Sequence, residues 1–215
     1  MEPPKTKVVW FDPEFAKKMG ITLRPDGTPE PLPPSGITVD SPLDIQISAL
    51  GPLHRYEAIP EWIASVPVAV PFFDGMKLPF MLVRLQESDQ KEIEEAVGEF
   101  LKLGPEARVA ASGYVVADYN LMQELVSEVD LGCSVESTDE IWRHVQPMAV
   151  HISRRHRRDC AIYVQVLAEC DWEPEHGLQI VFRRGAELSR VSSQDGHITT
   201  SDAWDLPEEQ DRIVS

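Results

Sequence analysis

Cysteine is scarce in this chain: Cys133, Cys160 and Cys170 are the three thiols in 215 residues. They are odd in number, widely spaced and without a Cys-Xaa-Xaa-Cys pair. That excludes a disulfide framework and a structural zinc knuckle, and reduced thiols are expected. Positive charge is also short, with 20 Lys and Arg against 36 Asp and Glu, a formal net charge of −16 and a pI near 4.7. Such a surface repels phosphate backbones, so no nucleic-acid partner is expected. Long apolar runs are missing too: the tracts at 66–73 and 79–83 are too short and proline-broken to cross a bilayer, and no membrane role is expected. The opening Met1-Glu2-Pro3-Pro4-Lys5 lacks the basic-then-apolar layout of a secretory leader, which makes the cytoplasm the expected location. No phosphate-binding loop, dinucleotide fingerprint, zincin helix or Gly-Xaa-Ser-Xaa-Gly elbow occurs, so no catalytic residue, metal ligand or cofactor is assigned.

Proline, by contrast, is plentiful and concentrated before residue 60. Each proline removes a backbone donor and blocks helix interiors and central strands, so residues 1–60 are expected to be an extended arm. Within it, Glu14–Met19 could form a helical turn ended by Gly20, and Leu43-Asp44-Ile45-Gln46-Ile47 alternates as a short strand does. Residues 61–200 are expected to hold the core domain, and 201–215 an acidic, loosely held tail.

Regular patterning begins at Val66. Val66–Val70 and Pro79–Leu85 flank an Asp74-Gly75 pair, the signal of a β-hairpin. Ser88 then precedes a glutamate-rich first turn, and Ile93, Ala96, Val97, Phe100 and Leu101 fall on one helical face before Gly104-Pro105. A second helix is expected between Pro105 and Val129, with Tyr114, Ala117, Leu121 and Leu125 as its stripe and Ser112-Gly113 as a possible break. Ser137 and Glu140 match a capping box, which predicts a third short helix ending before Pro147. Four short-linked strands follow, at 150–152, 161–167, 178–182 and 188–191, and short links demand antiparallel pairing. The fold class is therefore α+β: an antiparallel sheet of about six strands, an N-terminal hairpin plus a four-strand meander, covered by two or three helices.

Two clusters carry candidate chemistry. Glu169-Cys170-Asp171-Trp172-Glu173-Pro174-Glu175-His176-Gly177 packs a thiol, four carboxylates and an imidazole where the longest strand turns. Such a set suits a divalent ion or an acid–base pair, but the same residues also build a turn: Asp171 as a cap, Pro174 as a fixed φ, Gly177 as the reversal. The second cluster, Arg154-Arg155-His156-Arg157-Arg158, can grip phosphate or carboxylate bidentately, form a solvated hairpin tip, or supply partners for the carboxylates of the neighbouring acidic loop. Ser192 to His197 gathers Ser, Asp and His, yet Asp195-Gly196 is better explained as a turn.

The stretch from Ile141-Trp142-Arg143-His144-Val145 through Cys170-Asp171-Trp172-Glu173-Pro174-Glu175-His176-Gly177, then Phe182-Arg183-Arg184-Gly185 and Asp195-Gly196-His197, resembles an uncharacterised bacterial family of domains of unknown function. The likeness spans roughly 66–200 and centres on a Cys-Asp-Trp-Glu-Xaa-Glu-His-Gly signature. Some related domains belong with bacterial toxin-immunity proteins, and the resemblance implies a bacterial protein of that kind, with no reaction attached.

Three functions compete. A non-enzymatic binding protein of the immunity type would use the acidic surface and an exposed Trp172 to mask a cationic toxin. A metal-dependent hydrolase would place Asp171, Glu173, Glu175 and His176 around one ion, with Arg154, Arg155, Arg157 and Arg158 holding an anionic substrate in the same cleft. An accessory subunit would dock through the proline-rich arm. A protein partner is the leading expectation.

Overall fold

The computed structural model describes residues 37–125 and 133–214. The predicted turn at 14–19 and most of the arm lie outside them. From Thr38 onward the chain forms one compact unit, so residues 38–60 cluster with the core.

The main sheet has seven strands in the order β1-β2-β5-β6-β7-β8-β9. They span Leu53–Tyr56 (β1), Ile59–Ser65 (β2), Phe80–Leu82 (β5), Val145–Arg154 (β6), Ile162–Cys170 (β7), Leu178–Arg183 (β8) and Glu187–Ser193 (β9). The meander β6 to β9 is antiparallel throughout, as short connections require. β5 pairs parallel to β6, and the long stretch 83–144 supplies the crossover.

The predicted hairpin forms, but with different strands. Val68–Val70 (β3) pairs with Met76–Leu78 (β4) in a separate two-stranded sheet, with Asp74 and Gly75 both at positive φ in the turn. Phe80–Leu82 leaves the hairpin for the main sheet, whose own N-terminal hairpin is β1–β2. Those two strands begin inside the proline-rich stretch. Arg55 makes this possible: its guanidinium donates to the carbonyls of Ser41, Pro42 and Pro60 at 3.1, 2.8 and 3.1 Å, satisfying acceptors that neighbouring prolines cannot.

Period-two alternation lays two rows of apolar side chains on one face of the sheet. Register places Ile63, Leu82, Ile152, Val164 and Phe182 in one row and Phe80, Val150, Val166 and Ile180 in the next. Helix α1, Gln90–Phe100, covers them with Ile93, Ala96, Val97 and Phe100, the stripe expected from sequence. The Phe100 and Phe182 rings meet at 5.5 Å.

Helix α2, Pro105–Leu125, runs unbroken through Ser112-Gly113. Its buried face differs from the predicted stripe: Ala111, Ser112, Val115, Asp118 and Tyr119 point inward, whereas Tyr114 and Leu125 are exposed. The capping box expected at Ser137 does not form: Asp139 is the N-cap of a five-residue 3-10 turn, Glu140–His144, with no side-chain cap, and Ser137 only accepts the Glu140 N–H at its backbone carbonyl. β6 then runs through Pro147, where the register with β7 shifts and the bulge accommodates a residue without an N–H.

Leu43–Ile47 keeps its alternation without becoming a strand. Ile45 and Ile47 are buried, and the N–H groups of Gln46 and Ser48 bond the Gln90 and Glu94 side chains of α1 at 3.2 and 3.0 Å. The fold class is thus α+β with a mostly antiparallel sheet and three helices among the described residues, the third being Thr200–Ala203 (α3).

Candidate functional site: an acidic cleft at one end of β7

β7 carries the two sequence clusters at opposite ends. Its nine residues separate them by roughly 26 Å of extended chain. The arginine run and the signature loop therefore do not meet, and the hydrolase cleft holding both is not formed.

At the C-terminal end, the chain reverses over residues 171–177. The backbone N–H of Asp171 donates to the His144 carbonyl at 3.1 Å, and the Asp171 carboxylate bonds His144 Nδ1 at 2.8 Å. This ties the loop to the start of β6. Glu173 organises the turn itself: its Oε1 accepts from the N–H groups of Glu175 and His176, both at 3.2 Å, and lies 3.4 Å from His176 Nδ1. Gly177 closes the reversal at φ +63°, where a Cβ would sit 2.4 Å from the Ala168 carbonyl, so only glycine fits.

Trp172 is fully buried and does not serve as the expected exposed anchor. Its Nε1 donates to Asp118 Oδ2 at 3.0 Å, and its ring packs edge-on against Tyr119 at 5.9 Å. Burial pushes the Asp118 carboxyl above its ordinary range, although the Trp172 bond pulls the other way. Burial likewise pushes the Cys170 thiol up to about 12, which makes it an inert core group.

The loop and the start of β6 line an open cleft of about 780 Å³, walled by Glu169, Asp171, Glu173, Glu175, His144 and His176, with Arg143 and Gln194 at its margin. Among the described residues, no three His, Cys, Asp or Glu side chains gather closely enough to hold an ion. Asp171 turns to His144 and Glu173 to His176, so the predicted four-residue metal set is divided into two pairs. What remains free is charge: Glu169 and Glu175 make no ion pair among the described residues, and Asp171 faces only an imidazole.

The basic run is spent on structure. Arg154 holds Asp89 and Glu92 at 2.8 Å each, anchoring the start of α1. Arg155 is buried and pairs with Asp202 and Glu208, both at 2.7 Å, and Arg158 reaches the same Glu208 at 3.0 Å. Burial alone would lower the Arg155 pKa, but those carboxylates more than offset it and hold the guanidinium charged. Arg157 is exposed and makes no ion pair among the described residues.

These partners overturn the loose-tail expectation. Residues 199–214 dock on the hairpin tip: the N–H of Asp202 is capped by Thr199 Oγ1 at 3.1 Å, the N–H of Ser201 donates to Asp211 at 2.8 Å, and Val214 bridges Val191. The signal was present in sequence as Thr199-Xaa-Xaa-Asp202, an N-cap pattern. Asp118 left a weaker trace, an acid at helical spacing from Val115 and Met122. Asp195-Gly196 is the expected turn, and Asp195 uses it to hold Arg190 at 2.6 Å.

No helix among the described residues is long and apolar enough to cross a membrane. Comparison with curated proteins and with solved structures returns no match. A family model described as Domain of unknown function (DUF6985) does match, over residues 49–198, and the chain belongs to that family.

Proposed function

We propose that this chain is a non-enzymatic binding protein, bacterial and cytoplasmic, of the immunity type, and that its acidic cleft masks a cationic surface of a toxin protein. The observation that carries this reading is the contrast in charge compensation. Arg154, Arg155 and Arg158 of the hairpin tip are neutralised internally, whereas Glu169, Asp171 and Glu175 face one open cleft whose lining holds a single arginine, Arg143. In a molecule of net charge −16, such a cleft concentrates negative potential and speeds capture of a basic partner. Glu173 contributes by shaping the loop rather than by contact, since its carboxylate is already engaged. The signature of the resembled family falls on this loop, which suits a shared docking surface.

The test uses a ten-residue Arg/Lys peptide as probe in calorimetric titrations at 50 and 300 mM salt. Wild-type protein is expected to bind, with affinity falling steeply as salt rises. The cleft variant E169Q/D171N/E175Q is expected to bind at least tenfold more weakly, about 1.4 kcal/mol over three charges. A control of equal net charge, E57Q/E95Q/E136Q, alters exposed acids elsewhere and is expected to stay within threefold. Equal losses in both variants would mean that total charge, not the cleft, attracts the peptide.

A further inference from the structure

Two imidazoles stand in the wall of the acidic cleft, each with a carboxylate within ion-pair distance. His144 Nδ1 lies 2.8 Å from Asp171 Oδ2, and His176 Nδ1 lies 3.4 Å from Glu173 Oε1. They belong to different elements, the 3-10 turn before β6 and the signature loop, so folding brings both to one opening. Both rings reach solvent, with 22% and 60% of their side-chain surfaces exposed. The other charged groups of the lining are Glu169, Glu175 and Arg143, the last paired with Glu140 of its own turn. Burial holds the Cys170 thiol at about 12, so it stays neutral, and Gln194, which follows β9, carries no charge. Behind the loop, the buried Asp118 of α2 is near enough to Glu173 for each to feel the other's charge.

Histidine is the side-chain type that changes charge between pH 5 and 8, a range in which arginine, lysine and ordinary carboxylates keep theirs. Four carboxylates, Glu169, Asp171, Glu173 and Glu175, against the one guanidinium of Arg143 give the lining a charge of −3 with both imidazoles neutral, and −1 with both protonated. Each proton sets a cation against an acid of the wall and subtracts from the attraction felt by a basic partner. Resting on the reading of this cleft as a docking site, we propose that His144 and His176 are its pH control: a cationic protein surface docks while the two imidazoles are neutral and is released when they protonate. By reciprocity, docking expels protons from the same two rings.

Calorimetric titration of the full chain with the Arg/Lys peptide, acetylated at its amino terminus so that nothing on it titrates in the range, tests this at pH 8 and pH 5.5. Tenfold over three cleft charges is about twofold per charge, so two protons should weaken wild-type binding about fivefold. H144Q/H176Q, in which each glutamine keeps a hydrogen-bond donor for its acid, is expected to stay within twofold across the same range. H54Q/H156Q alters exposed histidines outside the cleft and should keep the wild-type dependence. Imidazole ¹H–¹³C signals at pH 6 read the same exchange without a variant: on peptide addition those of His144 and His176 should move toward the neutral ring, and those of His54 and His156 should not. A peptide that fails to bind at pH 8, or binds elsewhere, removes the docking site and its pH control together. Cleft binding equally tight at both pH values, a dependence that survives H144Q/H176Q, or unmoved His144 and His176 signals overturns the pH control alone.

Discussion

The two ends of β7 differ in how they handle charge. At the end near Arg154, four acids brought in from a distance meet a guanidinium: Asp89 and Glu92 from the start of α1, Asp202 and Glu208 from the C-terminal segment. That end is paired. At the end near Asp171, carboxylates face solvent across an open cleft, and the backbone is held by local bonds from Glu173 and a glycine reversal. Burying Arg155 demands pairing, because an isolated buried ion is costly, whereas exposed acids can stay unpaired at small expense. One end therefore builds the fold, and the other keeps its carboxylates open to solvent, as the proposed docking site requires.

Substitutions at the paired end should cost the most. Gly185, at φ +78° in the β8–β9 turn, would place a Cβ 1.9 Å from the Ala96 carbonyl of α1. Gly185→Ala is expected to destabilise by more than about 3 kcal/mol, lowering the melting temperature by roughly 6–12 °C in thermal denaturation. Arg155→Ala leaves Asp202 and Glu208 facing each other without their cation and should cost about 2–3 kcal/mol by urea denaturation. Adding Asp202→Asn and Glu208→Gln to that variant should restore part of the loss. The cleft variant E169Q/D171N/E175Q, by contrast, should change stability by less than about 0.5 kcal/mol, since it removes exposed charges. A cleft variant that unfolds as readily as Arg155→Ala would erase the difference between the two ends.

Acid titration sharpens the comparison by a smaller effect. Burial tends to raise Asp202, but Arg155 outweighs it and holds the carboxyl below its ordinary 3.8; Arg155 also holds Glu208 below 4.5. Carboxylates depressed in the fold contribute stability above their ordinary values and lose it as pH falls through the depressed ones. The contribution of these two carboxylates should thus be flat from neutral pH to about 5 and fall below about 4, with a shallower fall in Arg155→Ala. Asp118 has the opposite sign: burial raises it, so its favourable contribution is present below 3.8 and lost as pH rises through the raised value. Asp118→Asn should gain stability relative to wild type as pH climbs from 4 to 7. Chemical denaturation across that range reads both signs.

Sequence periodicity reached the sheet and α1 because their apolar residues recur at fixed spacing on one face. It misplaced the buried face of α2, where polar residues sit inside. Ser112 accepts from the Trp142 indole at 2.7 Å and Asp118 from the Trp172 indole at 3.0 Å, partners 30 and 54 residues away. No local pattern reports such a partner. The same bond explains why Trp172 is core and not an interface anchor. The signature loop was legible as a turn, from Asp171, Pro174 and Gly177, but its split into two His–carboxylate pairs depends on His144, which arrives from another element. The tail's role was hidden because Arg155 and its carboxylates are joined by folding alone.

The most direct test of the central claim is a residue-resolved map of where a basic ligand lands. In ¹H–¹⁵N spectra of the labelled chain titrated with the Arg/Lys peptide, the amides of Arg143 to Gln146 and Glu169 to Gly177 should shift together and saturate, while those of Arg154 to Cys160 stay put. Shifts spread over the whole acidic surface, or centred on any other face, would contradict the cleft as a docking site.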